Sequence, residues 1–314
     1  MTKTYAPPAG PPPGYNDGLT GSTNMNSEPP PYHNWQEAVP DTSMLPPPPI
    51  GGNYTSNSGN ASTDDAERAH DFCNNIPLYH PVYPSAVVRN TVQEYDIGPV
   101  PPAEFRGSIN KRQDRGSWRG STRDRSGDCI LMTNLPLYFA LGDSPFITER
   151  SKTVYFEAKI LGLRAGPTYA DASGLSIGFV AQPYPTWRSP GWERGGLGVF
   201  SDDGCRFVND SWGGKDFTTT FQIGETVGLG MTFQLLGSIN SSMPPQRGRK
   251  LNINVFLTRN GRHESGWDLY EEVDEEAGGV HGLEGDFDLY PAVGLFGGLD
   301  FEICYNPRGW SFRP

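Results

Sequence analysis

From Gly127 onward, apolar residues recur at every second position in short segments separated by glycine, the pattern of antiparallel strands with one face on a core. The segments are Cys129 to Met132, Val154 to Ile160, Leu175 to Ala181, Gly196 to Ser201, Cys205 to Val208, Thr226 to Thr232, Leu251 to Arg259, Leu289 to Phe296 and Asp300 to Tyr305. Within Val154 to Ile160, positions 154, 156, 158 and 160 share an apolar face, while Glu157 and Lys159 point the other way. One buried and one wet face are therefore expected for this strand. Two hairpins are signalled by their turn residues, Asp203-Gly204 and Asn260-Gly261, because glycine accepts the positive φ of a tight turn. No 3.6-residue periodicity of ten residues or more occurs in this region. Many short strands and few helices predict an all-β, antiparallel two-sheet sandwich over residues 127–314.

The pattern fails before Gly127. Nineteen of the 30 prolines lie in the first 102 residues, and residues 1–65 are runs of proline separated by Gly, Asn and Ser. Such segments populate polyproline II and disordered states, since they cannot bury enough apolar surface to offset the entropy of ordering. Residues 66–105 contain Leu78, Tyr79, Val82, Tyr83, Val87 and Val88, but prolines 77, 81 and 84 argue against a regular element. The expectation is a disordered proline-rich tail over 1–105, then a basic linker over 106–126 carrying Arg106, Lys111, Arg112, Arg115, Arg119, Arg123 and Arg125. That linker reads as solvated, with an RNA contact as the alternative.

Composition narrows the chemistry. The formal net charge of -11 argues against general nucleic-acid affinity. Nine of the carboxylates fall in one stretch, Asp268 to Asp288, expected to be a solvated loop. Cys73, Cys129, Cys205 and Cys304 are widely spaced without a Cys-x-x-Cys pair, and the five histidines are scattered, so free thiols are expected and no metal or cofactor is implied. The longest apolar run, Leu135 to Leu141, is far too short for a transmembrane helix, and Met1 to Tyr15 lacks the apolar core of a secretory signal. Asp202 and Asp203 are adjacent turn residues rather than an acid–base pair, Glu157 has no visible partner across a cleft, and no nucleophile or phosphate-loop motif is present. No enzyme is expected.

Several strings resemble the SPRY domain: Tyr155-Phe156-Glu157-Ala158-Lys159-Ile160, Leu175-Ser176-Ile177-Gly178-Phe179, Gly198-Val199-Phe200-Ser201-Asp202-Asp203-Gly204, Phe221 to Gly230, Val255 to Gly261, Tyr290 to Leu295 and Tyr305 to Phe312. Together they cover about residues 127 to 314, in order. The resemblance implies a concanavalin-like SPRY β-sandwich whose edge loops bind a partner's peptide. Gln182 to Trp192 and Asp210 to Phe217 are further similar to fungal SPRY adaptors that recruit a HECT-type ubiquitin ligase to endosomal and vacuolar cargo. Those adaptors generally carry an amino-terminal transmembrane helix, which the sequence lacks, and Pro-Pro-x-Tyr motifs, which it has.

The motifs are Pro12-Pro13-Gly14-Tyr15 and Pro29-Pro30-Pro31-Tyr32. WW domains bind this pattern because the prolines pre-set a polyproline II ligand and a neighbouring pocket takes the tyrosine. Pro12, Pro13, Tyr15, Pro29, Pro30 and Tyr32 are thus the expected ligase-binding residues. Trp187, Arg188, Trp192 and Arg194 are the expected partner-binding residues of a sandwich loop, because aromatics and arginine concentrate interface energy. The competing reading places the tryptophans in the core under arginine caps; Trp192 inside and Arg188 outside is the expected division. The leading expectation is a cytoplasmic adaptor, peripheral at the endosome or vacuole through its cargo. A carbohydrate-binding or glucanase-like sandwich, and a SPRY protein with an RNA-associated linker, remain as alternatives.

Overall fold

The computed structural model describes residues 62–164, 172–236, 251–271 and 278–314. Helices α1 (Thr63–Asn75) and α2 (Ala86–Gln93) come first, followed by strands β1 (Pro99–Val100), β2 (Gly107–Lys111), β3 (Ser117–Thr122) and β4 (Cys129–Thr133). Two single-turn helices, α3 (Ala140–Asp143) and α4 (Pro145–Thr148), lead into β5 (Lys152–Arg164), β6 (Gly174–Ala181), β7 (Gly196–Phe200) and β8 (Arg206–Val208). The remaining strands are β9 (Thr226–Leu235), β10 (Leu251–Arg259), β11 (Arg262–Asp268), β12 (Leu289–Phe296) and β13 (Gly298–Cys304), and a 3-10 turn spans Pro307–Gly309.

The strands form two antiparallel sheets, one in the order β1-β4-β12-β6-β7-β8 and one in the order β11-β10-β9-β5-β13-β3-β2. Period-two alternation puts Val154, Phe156, Ala158 and Ile160 of β5 on the inner face. In register beside them are Met231, Leu229 and Val227 of β9. Ile177 and Phe179 of β6 and Val293 and Leu295 of β12 supply the facing layer. The result is the all-β sandwich that the alternation predicts, with each of the nine expected strands present.

The outer face of β5 is covered at Tyr155 and Glu157. Glu157 is only 3% exposed and Tyr155 is buried, because the C-terminal segment straps across this face of the sheet. The backbone N–H groups of Ser311 and Phe312 donate to the Glu157 carboxylate at 2.9 and 3.0 Å, and the Tyr155 hydroxyl donates to it at 2.9 Å. Trp310 meets Tyr155 edge-on at 4.8 Å, and Phe312 lies against Tyr155 and Phe256. The strap fits close to the sheet because β9 has glycine beneath these rings: a methyl group on Gly228 would collide with Tyr155. Alternation alone marks a face as polar; it does not reveal that a distant segment covers it.

Residues 62–126 also depart from the expectation of tail and linker. Ser62 caps α1 by accepting from Asp65 N, and Ser85 caps α2 by accepting from Val88 N. Prolines 77, 81 and 84 precede α2 and so do not interrupt it. The basic run forms the strands β2 and β3 at the edge of the larger sheet. Arg112 pairs with Glu302, Arg115 with Glu94 at 3.0 Å, and Trp118 donates to the Ile97 carbonyl at 3.1 Å. The sandwich therefore begins at Pro99, whose partner in β4 is Thr133, and not at Gly127. Its strands were hidden because an edge facing water carries arginine where a central strand carries valine. Of the acidic stretch, residues 272–277 lie outside the described residues; in the rest, Leu269 and Leu283 enter the core, and Glu271 bridges Arg206 and Lys215 at 2.9 and 2.6 Å.

The β10–β11 hairpin turns through Asn260 and Gly261, both at positive φ (51° and 76°), as the Asn-Gly pair predicts. Gly261→Val is expected to cost about 1–3 kcal/mol, since a β-branched residue is strained there and any Cβ would come within 2.8 Å of the Ser311 carbonyl oxygen. The denaturant midpoint of the variant checks this; a wild-type midpoint would mean that the turn does not set the hairpin.

Candidate functional site

The segment between β6 and β7 packs its polar and aromatic side chains in two directions. Arg188, expected outside, is instead 1% exposed. Its Nε donates to Glu193 Oε1 at 2.8 Å, and its guanidinium lies 4.4 Å from the centre of the Trp192 ring. Trp192 is buried as expected and stacks on Phe200 at 5.3 Å. A loop with Gly191 at φ 104° turns the Arg188 side chain inward, where the Glu193 carboxylate five residues on offsets its charge. Tyr184 locks the arrangement, donating to the Ser189 carbonyl at 2.7 Å and accepting from Glu193 N at 3.0 Å. Arg188 and Trp192 therefore build the loop and do not present it.

Trp187 and Arg194 face outward and meet α1. The Trp187 Nε1–H donates to the Asp65 carbonyl at 3.1 Å. Its ring is met edge-on by Phe72 at 5.9 Å and capped by the Arg68 guanidinium at 3.8 Å. Arg194 reaches the other end of the helix, where its Nε donates to the Cys73 carbonyl at 3.1 Å and its Nη2 to the Ile76 carbonyl. These are carbonyls of the helix end that lack a partner within the helix, so Arg194 acts as a C-terminal cap. Between the two, Ala69 is fully buried and His70 lies 3.3 Å from Ser211 Oγ and 3.7 Å from Glu193 Oε2.

Beside α1 stands Trp212, which sequence reasoning passed over and which is 77% exposed. The Asp210 carboxylate holds its loop by accepting from Trp212 N at 2.8 Å and Gly214 N at 3.0 Å. The available signal was a tryptophan set among Asp, Ser and Gly with no apolar neighbour at strand spacing.

Three acids near this face are shifted by burial. Both carboxyl oxygens of Asp128 are buried without a hydrogen-bond partner, although the residue as a whole is partly exposed. Desolvation, opposed by Arg188 and reinforced by the Asp65 and Asp202 charges, pushes Asp128 from its ordinary 3.8 to about 7. Burial and then the neighbouring Asp203 push Asp202 up to about 6, and burial raises Glu193. A carboxyl whose folded pKa is raised binds its proton more tightly when folded, so its stabilising contribution is full below about pH 4 and is lost as pH rises toward 7. Asp128→Asn should therefore flatten the fall in stability between pH 4 and 8 and raise stability at pH 8, by on the order of a few kcal/mol. Denaturant unfolding across that range measures it, and a slope equal to wild type would show that Asp128 is not buried in this way.

Other candidates fall into place. Asp203 Oδ1 accepts from Cys205 N at 2.8 Å, as a turn residue does. The Glu157 carboxylate is taken up by the C-terminal strap. The four cysteines are free, and burial pushes the Cys73 thiol up to about 11 and Cys129 up to about 12. Among the described residues no helix is long and apolar enough to cross a membrane, and no cluster of three potential metal ligands occurs. The motif residues Pro12, Pro13, Tyr15, Pro29, Pro30 and Tyr32 lie outside the described residues.

No family model matches the chain. Over 185 residues, 59% of its length, it is 30% identical to a SPRY domain-containing protein of Schizosaccharomyces pombe and 25% identical to the protein ssh4 of Sclerotinia sclerotiorum. The matches cover 36% and 26% of those relatives, so the chain corresponds to only part of each. A crystal structure of a human SPRY domain covers 63% of this chain and 95% of its own, at 20% identity and a TM-score of 0.38. The resemblance to SPRY-domain proteins of fungi is thus borne out by these relatives, and the two-sheet sandwich is the fold it implies.

Proposed function

We propose that this chain is a protein-interaction adaptor. Its two Pro-Pro-x-Tyr motifs, ending at Tyr15 and Tyr32, recruit a HECT-type ubiquitin ligase through WW domains, and the loop face of the sandwich around Trp187 and Arg194 recognises a cargo protein. The observation that carries this reading is the pairing, in one chain, of two Pro-Pro-x-Tyr sequences with a SPRY-type sandwich. A separation of 17 residues between the tyrosines lets tandem WW domains engage both motifs, which raises avidity without a new contact. Ubiquitin transfer then follows from proximity, since cargo lysines are held at high effective concentration near the ligase. A membrane association, at the endosome or vacuole, comes through the cargo.

The fold also bears on the alternative readings. The arginines of 106–126 that an RNA contact needs are partly committed: Arg112 is paired to Glu302 of β13 and Arg115 to Glu94 at the end of α2. The Glu157 that a glucanase-like site would use is buried under the strap. Pull-down of WW-domain ligases with the wild-type chain and with Tyr15→Ala plus Tyr32→Ala tests the adaptor reading. Recovery is expected to fall to background in the double variant; undiminished recovery removes the reading's main support.

A further inference from the structure

The contacts of α1 describe a receptor face and its occupant. Trp187 and Arg194 grip the helix by backbone carbonyls at its two ends, which are contacts that any helix of similar length offers. Side-chain selection comes from the pocket for Ala69 and from the Trp187 ring, which takes Arg68 on its face and Phe72 at its edge. The occupant is lightly held. Of its 13 residues only Ala69 is buried, and Ala69 belongs to none of the apolar clusters of the sandwich. Helices this short are marginal in water without tertiary packing, and segments with few buried contacts open at little cost.

The face beneath is also imperfectly filled. Arg194 Nη1 and both carboxyl oxygens of Asp128 are buried and have no hydrogen-bond partner. Each such group is costly, so a ligand that satisfies it gains over one that does not. Next to this incompletely matched helix stands Trp212, an exposed aromatic of the kind that anchors interfaces.

Building on the adaptor reading, we infer that the face formed by Trp187, Arg194, Asp128 and Trp212 is a helix-binding surface, that α1 is its resident occupant, and that the cargo presents an amphipathic helix that takes the place of α1. The matching helix carries a basic residue, a small residue and an aromatic at the spacing of Arg68, Ala69 and Phe72. It also has a carboxylate near its C-terminal end for the unpaired Nη1 of Arg194. This is helix-in-groove recognition, in which apolar anchors at helical spacing give specificity and the surrounding polar groups fix the orientation.

The test uses the full chain with Ala69→Arg, which cannot fit the pocket, and a synthetic peptide spanning residues 62–76. In the variant the sandwich stays folded, while amide exchange over 63–75 accelerates roughly tenfold to a hundredfold, the effect of overpacking on a locally opening segment. The peptide binds the variant saturably, and adding Arg194→Ala to the chain weakens that binding. Unchanged exchange in the variant, a folded variant that does not bind the peptide, or binding that Arg194→Ala leaves undiminished would each overturn the proposal. Ligase capture through Tyr15 and Tyr32 is measured separately on the wild-type chain, so loss of the adaptor reading and loss of the helix-binding face give different results.

Discussion

Glu157→Ala is expected to lower the stability of the sandwich by about 3–5 kcal/mol, among the larger effects available to a single substitution. The carboxylate accepts from the backbone N–H of Ser311 and Phe312 and from the Tyr155 hydroxyl in a place screened from water. Removing it leaves those donors without their acceptor and detaches the strap, so Trp310 and Phe312 would no longer cover Tyr155 and Phe256. Glu157→Gln keeps one acceptor and should lose distinctly less. Denaturant midpoints give the size of the effect, and hydrogen exchange at Ser311 and Phe312 gives its location. A midpoint within about 0.5 kcal/mol of wild type, the range of ordinary surface substitutions, would mean that the strap is not pinned by this residue.

The second large effect is expected at Arg188. Its charge and that of Glu193 are buried together, with side chains 2% exposed and 2.8 Å apart. Arg188→Ala leaves the Glu193 carboxylate uncompensated and removes the stacking on Trp192, at a cost of about 3–5 kcal/mol. Because well-packed apolar residues can replace a buried ion pair at little cost, Arg188→Met with Glu193→Leu should recover much of that loss. Thermal or denaturant unfolding of the two variants compares them. A double variant that is no more stable than Arg188→Ala would show that the loop depends on the charges for more than their mutual compensation.

Much of the fold could be read from alternation. In β10, Leu251, Ile253, Val255 and Leu257 are buried where the period of two places them, and the Asn260-Gly261 turn follows directly. Strand β11 could be found only from that turn, because along Arg262 to Asp268 only Trp267 is buried and an edge strand has no need of an apolar face. Helix α1 was hidden for a related reason. Its buried side is little more than Ala69, with Ala66, Phe72 and Cys73 partly covered, which is too sparse to register as a periodic stripe beside a proline-rich segment.

The site was legible in its residue types but not in their directions. Trp187, Arg188, Trp192 and Arg194 do lie together, yet whether an arginine turns inward depends on a carboxylate being placed to receive it. Glu193 does this for Arg188, while Arg194 instead finds the carbonyls of Cys73 and Ile76. Those partners lie more than 100 positions earlier in the chain, and a local pattern carries no information about them.

The adaptor account rests most directly on the two motifs, and titration of a purified tandem WW-domain protein with the full chain tests it. The account predicts saturable binding that is weakened by Tyr15→Ala or Tyr32→Ala alone and lost when both are changed, with the single variants falling by about tenfold or more if the motifs act together. Equal affinities for the wild-type chain and the double variant would contradict it.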